Sequence, residues 1–426
     1  KPETAKDRSR GLSIITMSQF DVTAARSKFP ALSQDQVFFD NAGGSQTLGT
    51  VVDSICQYLT NNNVQLGATY RVGKLATARY NDGFAAAAKY VNAKEDEIVF
   101  GSSTTQLYRN LSYALEFNEG DEIIISSIDH EANIAPWVDL AARNKLTLKW
   151  WTPAKSTNPK LLPSDLAGLL TPKTRLVACT HASNILGTIT DVKAVASTVH
   201  ARVPGALVCV DGVAYAPHRP LDLADLGVDV YCFSWYKVYG PHISMMYARQ
   251  STAQQPCNMR SLGHFFKGGA TLDEKLGLAG ASYELLQAVP RVVEYLATAT
   301  TTATAAGGTG WPGLVAHEHA LQKTLLDYLA SKPDVFTVVG ETTADPAARV
   351  PTVAFLVKGW SSQVLVETVE KIANFGFRWG AFYSNRLAYD LLGLEPDGVV
   401  RISMVHYNTV EEVKGIIAAI EKVLSQ

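Results

Sequence analysis

The chain is poor in the residues that would tie it together by covalent staples. It has five cysteines in 426 residues (Cys56, Cys179, Cys209, Cys232 and Cys257), and none forms a C-x-x-C pair. That scatter excludes a disulfide framework and a structural zinc site. Three of the five lie in apolar runs, where a free thiol behaves as a small hydrophobe. The reading is a reduced, cytoplasmic protein. Charge of one sign is lacking too. The formal net charge is −2, which offers no electrostatic grip on nucleic acid or an anionic membrane. No uninterrupted apolar run is long enough to span a bilayer. What remains is an ordinary globular composition, 47% hydrophobic and 18% charged, with length for one large enzyme subunit or two to three domains.

Residues 1–16 precede Met17, are basic and polar, and lack the apolar stretch of a secretory signal; they read as a leader or tag. Residues 17–35 are expected to form an N-terminal segment packing with a smaller domain. Between about 50 and 290 the pattern alternates. "VVDSICQYLTNN" and "ATARYNDGFAAAAKYVNA" carry helical spacing, whereas "EIVFGS", "EIIISSI", "LTLKWW", "RLVACTHAS", "ALVCVDG" and "VDVYCFS" are short, fully apolar strands. Strands buried on both faces and alternating with helices predict an α/β fold with a mostly parallel sheet. The low-complexity run "ATATTTATAAGGTGWPG" (297–313) reads as a boundary, giving a large domain over 36–305 and a small α+β domain over 306–426. Its G-x-G-x-x-G match (Gly308, Gly310, Gly313) follows no strand and contains Pro312, so it is no dinucleotide fingerprint. His317 and His319 stand two apart on a helix and face different ways, so no metal pair is expected.

Most strand ends carry chemistry, and ligands in parallel sheets bind outside those ends. Ser103, Thr104 and Thr105 precede a helix and supply hydroxyls and free amides for a phosphate. His130 offers a flat face for stacking on a ring. Asn184 can donate to a phenolic oxygen, and Ser234 adds a hydroxyl. Asp211 would be a buried carboxylate in need of a cation. Lys237 follows the core strand "VDVYCFS", where a lone ammonium is costly, and a lysine can form an imine with an aldehyde. Phosphate, phenolate, aldehyde and pyridine nitrogen together describe pyridoxal 5'-phosphate.

The same motifs resemble the fold-type I, class V aminotransferase family, in the branch that contains cysteine desulfurases. "FFDNAGGSQ" is similar to that family's N-terminal active-site loop, which implies substrate contacts from Asn41, Ala42 and Gly43. "IDHEANIAPW" places His130 as the stacking histidine, and "HASNILGTI" places Asn184. "VDGVAYAPHRPLDLADLGVDVYCFSWYKVYGP" carries Asp211, Ser234, Tyr236 and Lys237. "VVRISMVHYNTVEEV" places Arg401 as the clamp for a substrate α-carboxylate. The resemblance implies a seven-stranded sheet in the large domain and a homodimer with the active site at its interface, with "SLGHFFKGGATLDE" as the crossing segment. Lys237, His130, Tyr236 and Tyr383 are the expected catalytic set.

The chain departs from the desulfurases at several places. Tyr236 stands where the family has His, and Ala214 where it has Gln or His. "GLAGASYE" alters a phosphate-binding Thr, for which Ser282 is the substitute at hand. In "FRWGAFYSNRL" Tyr383 or a neighbour replaces the persulfide cysteine, and no cysteine follows Cys257. Trp379, Phe382 and Tyr383 would wall the site instead. "DNAGGSQ", "NVQLGATY" and "YK…GPH" resemble the pyridoxal enzymes of fungal loline-alkaloid biosynthesis. The implied activity is carbanion chemistry at Cα or Cγ of an α-amino acid, with an intramolecular Mannich-type cyclisation as the leading form. An epimerase, racemase or C–S lyase is the alternative, a cysteine desulfurase the next, and a non-catalytic cofactor-binding scaffold the last.

Overall fold

A computed structural model describes residues 20–255, 258–262, 268–299 and 311–425. The leader at 1–16, most of the 297–313 boundary, Cys257 and the centre of the expected crossing segment lie outside the described residues. The large sheet has seven strands: β1 Ile98–Gly101, β2 Glu122–Ser126, β3 Thr147–Trp151, β4 Thr174–Thr180, β5 Leu207–Asp211, β6 Val230–Ser234 and β7 Ser244–Ala248. Their order is β1-β7-β6-β5-β4-β2-β3. Strand β7 is antiparallel to both neighbours, and the β6–β5, β5–β4, β4–β2 and β2–β3 pairings are parallel. Six strands therefore run one way and end at one edge. All six expected strands are present. The seventh, "SMMYA", lies just after Pro241, and its short apolar run has no period that separates strand from helix.

The strands are apolar throughout because both faces are covered. Ile124, Val177, Val208, Val210, Tyr231 and Phe233 face one buried layer. Ile123, Ile125, Leu176, Ala178, Leu207, Cys209, Val230 and Cys232 face the other. This is the two-residue alternation of a pleated strand, with apolar side chains in both registers. Among the described residues no helix is long and apolar enough to cross a membrane.

A second, antiparallel sheet follows, with strands β8 Phe336–Val339, β9 Thr352–Val357, β10 Arg378–Gly380 and β11 Val399–Ser403 in the order β10-β11-β9-β8. The helices Trp311–Ala330, Ser362–Glu370 and Val410–Leu424 flank it and share its core, which includes Leu325, Phe355, Val366 and Ile416. His317 and His319 on the first of these helices bond the carbonyls of Asn408 and Ala344 respectively. The N-terminal segment bridges the two sheets. Phe29 packs edge-on against Tyr239 and Tyr295, while Arg26 pairs with Glu412 at 2.8 Å.

Candidate active site

Five strand ends converge on one open pocket. At its first pole, β1 ends in Gly101 and the helix Thr104–Ala114 begins with Ser103 as its cap, accepting from the Gln106 amide. A side chain at Gly101 would strike Gln106 and Leu107, so glycine lets the helix start close to the strand. The Thr104 hydroxyl lies 2.7 Å from that of Ser234, and Ser234 lies 2.6 Å from Ser244. Ser234 and Ser244 are register partners on β6 and β7, which is why they meet. Thr104 is buried and Thr105 exposed, and their first-turn amides have no partner within the helix. Tyr236 lines the same pole, its ring stacked on His242 at 4.9 Å. The pole is rich in hydroxyls and amide donors, as an oxyanion such as phosphate requires.

Asp211 ends β5, fully within the fold, and its Oδ1 accepts the Val213 amide at 2.9 Å. Burial pushes its carboxyl up to about 6, against the pull of the Val213 amide and of Lys237. Gly212 must lack a side chain because the Tyr231 ring occupies that space. Behind it, His181 is stacked on Tyr215 at 3.5 Å and bonded to the Tyr231 hydroxyl, a packed floor. Ala214 faces the pocket with no polar group to offer.

Lys237 sits in a short turn after β6, and its Nζ has no hydrogen bond among the described residues. Burial lowers its pKa to about 8, assisted by Arg401 and opposed by Asp211 and Asp40. His130 is held by the loop after β2. Its Nδ1 accepts the Ala132 amide at 3.1 Å, so a neutral ring carries its proton on Nε2. Burial, with Lys237 and Arg401 nearby, lowers the imidazole to about 4. That loop is anchored by Asp129, which accepts from Asn133 at 2.7 Å and from the Thr180 amide at 3.0 Å. Asn133 in turn accepts from Trp137 at 2.9 Å. The sequence reading gave Asp129 and Asn133 no role. Their spacing of four residues, an acid and an amide around His130, was the available signal.

Arg401, on β11, is buried. Its NH1 donates to the Asn184 carbonyl at 3.0 Å, and the Phe382 ring covers the guanidinium at 3.6 Å. Its NH2 donates to Asp40 at 2.6 Å, a partner that the sequence reading missed. Asn184 lines the pocket, but one N–H of its amide goes to the Phe382 carbonyl and its oxygen accepts from Ser384. Asn41, expected at the substrate, turns inward instead. Its amide donates to the carbonyls of Phe38 and Ser403, and its oxygen accepts from Tyr407. The Ala42 amide is likewise taken by Ser403, and Gly43 packs on Asp40. A buried side chain with its polar atoms all paired has nothing left for a ligand.

The expected aromatic wall is smaller than three rings. Trp379 and Val400 are register partners that pack into the small domain's core, while Arg378 and Arg401 project from the opposite face. Tyr383 is 72% exposed, its ring 5.5 Å from His130, and it lines an adjoining groove rather than the pocket. Of the three, Phe382 is the one that covers the Arg401 guanidinium. Phe382 and Tyr383 both have left-handed backbones (φ 50° and 59°), a strained turn held by the Phe382–Asn184 and Tyr383–Glu131 bonds.

A parallel-sheet enzyme with an unpaired lysine between a hydroxyl cradle and a buried carboxylate fits a flat ring bearing a phosphate, an aldehyde and a basic nitrogen. The family model for class-V aminotransferases matches residues 37–416, and the chain belongs to that family of pyridoxal-phosphate-dependent enzymes. It is 53% identical to the aminotransferase-like protein FGM3 of Gibberella zeae over 414 residues, covering 96% of this chain and 100% of that one. It is 42% identical over 402 residues to the nonribosomal peptide synthetase-like enzyme fsqF of Aspergillus fumigatus, covering 94% of this chain but 26% of that one. The apo cysteine desulfurase of Thermococcus onnurineus superposes with a TM-score of 0.83 at 22% identity, over 95% of this chain and 98% of that one, which shows the shared fold.

Proposed function

We propose that the protein acts on an α-amino acid through a carbanion at Cα or Cγ and makes or breaks a bond at carbon, with no sulfur transfer. The specific form favoured is ring closure through a new carbon–carbon bond. Pyridoxal phosphate at this pocket would supply the electron sink. Asp211 would meet the ring nitrogen, and the Ser103–Thr105 cradle with Ser234 would hold the phosphate. His130 would cover the ring, and Arg401 would take the substrate carboxylate in its planar fork. Lys237, with a pKa drawn close to the working pH, is suited to move the Cα proton.

The observation that carries this reading is the turn at 380–384. It closes on Arg401 with Phe382 and brings no thiol. Among the described residues Cys179, Cys209 and Cys232 are buried in the sheet and Cys56 lies on the helix Gly49–Asn61. Sulfur transfer needs a thiolate acceptor, and burial pushes the three sheet thiols well up. The test is incubation of the holoenzyme with single amino acids in D2O, with products followed by mass spectrometry. Solvent deuterium at Cα of an amino acid that binds, and no alanine or sulfide from cysteine, is the expected result. Rapid release of alanine and sulfide from cysteine would restore the desulfurase.

A further inference from the structure

The Arg401 clamp already holds a carboxylate that belongs to the protein. Asp40 Oδ1 accepts from Arg401 NH2 at 2.6 Å, and Asp40 Oδ2 lies 3.4 Å from Arg378 NH1. The two arginines are register partners on β11 and β10, so both reach Asp40 from one face of the sheet. Their surroundings differ sharply: the Arg401 side chain is 2% exposed and that of Arg378 is 53%. One carboxylate thus bridges a dry guanidinium and a wet one. Arg401 also keeps its buried Nε without a partner, so its fork is not filled.

We propose that Asp40 is the resting occupant of the clamp, replaced on Arg401 by the substrate's α-carboxylate and passed to Arg378. The proposal rests on the amino-acid reading above. An unpaired buried guanidinium is expensive, and Asp40 removes that cost while no substrate is bound. When a second carboxylate arrives, two anions on one buried cation would repel. Arg378, already within reach of Oδ2, takes the displaced charge where water screens it. A side chain at Gly43 would come within 2.8 Å of Oδ2, so the bare glycine leaves that oxygen room to move. Asp40 thereby makes the site selective. A ligand with a carboxylate must compete with it, and an amine without one is indifferent to it.

The test is calorimetric titration of the holoenzyme with L-alanine, and with L-alaninol as the amine that lacks a carboxylate. Asp40→Asn should bind L-alanine about tenfold more tightly and L-alaninol as wild type does. Arg378→Gln, at an exposed position, should weaken L-alanine several-fold, and this loss should vanish in the Asp40→Asn background. Equal or weaker L-alanine binding by Asp40→Asn would make Asp40 a mere support for Arg401 and overturn the proposal. So would an Arg378→Gln effect that is absent, or one that is the same in both backgrounds, the mark of net charge alone. Wild type that takes up L-alaninol but no amino acid would instead overturn the functional reading, and this one with it.

Discussion

Asp211→Asn should make the cofactor-free protein more stable and the loaded protein less so. Burial raises the carboxyl from its ordinary 3.8 to about 6. Two units at about 1.36 kcal/mol each amount to about 3 kcal/mol. The folded pKa lies above the unfolded one, so the fold favours protonated Asp211. Its contribution is fully present below pH 3.8 and is lost as pH rises through about 6. Above that, the cofactor-free protein carries a buried anion with only the Val213 amide and a distant Lys237 to offset it. Asparagine keeps the acceptor for the Val213 amide and removes the charge. The advantage of the variant should therefore open above pH 3.8, reach about 1 kcal/mol at pH 4.5, be nearly complete by pH 6 and level off at about 3 kcal/mol at pH 8. Asp129, pushed up to about 7 by burial with the Asp211 charge adding to it, is relieved of that charge in the variant, which widens the gap at high pH further. Urea unfolding of stripped wild type and variant at pH 4.5, 6 and 8 measures the gap. With pyridoxal phosphate restored the order should reverse, because asparagine cannot pair with a cationic ring nitrogen. A gap that ignores pH, or a stripped variant less stable than wild type at pH 8, would refute the assignment of Asp211 as a carboxylate held ready for a cation.

Two further outcomes follow from the same geometry. Lys237→Ala should lose the covalent attachment that borohydride fixes between lysine and cofactor; peptide mapping that finds the cofactor reduced onto another lysine would reassign the site. Phe382→Ala uncovers the Arg401 guanidinium, removing a desolvated cation–π contact of roughly 2 kcal/mol. Amino-acid affinity should fall by about tenfold or more, with Phe382→Leu intermediate because it keeps the burial; unchanged affinity in the alanine variant would show that water already reaches the clamp.

The residues at the strand ends were legible because a parallel sheet leaves little choice. Strands apolar on both faces must be covered by helices, so their polar ends gather at one edge, and Ser103, His130, Asn184, Asp211 and Lys237 all reach the same pocket. Period likewise placed the helices Gly49–Asn61 and Arg71–Tyr90 and six of the seven strands of the large sheet. The short strands "SMMYA" and "FTVV" escaped individual notice because four or five apolar residues after a proline carry no period of their own.

Pairings between distant segments were decided by the tertiary structure alone. The family resemblance marks Arg401 as a carboxylate clamp, but its partner Asp40 lies 361 positions away, and the pairing of Val37–Phe38 with Phe375–Gly376 and the bridge between Asp40 and Ser403 at the end of β11 bring it there. The same holds for Asn41, which the resemblance puts at the substrate and whose amide is spent on Ser403 and Tyr407. In the 377–383 stretch, sequence offered several aromatics. Strand alternation sent Trp379 into the core, and two left-handed residues turned Phe382 onto Arg401 and Tyr383 out to solvent. Type and local period are properties of neighbours along the chain. Which donor meets which acceptor depends on register and packing, and those exist only once the chain has folded.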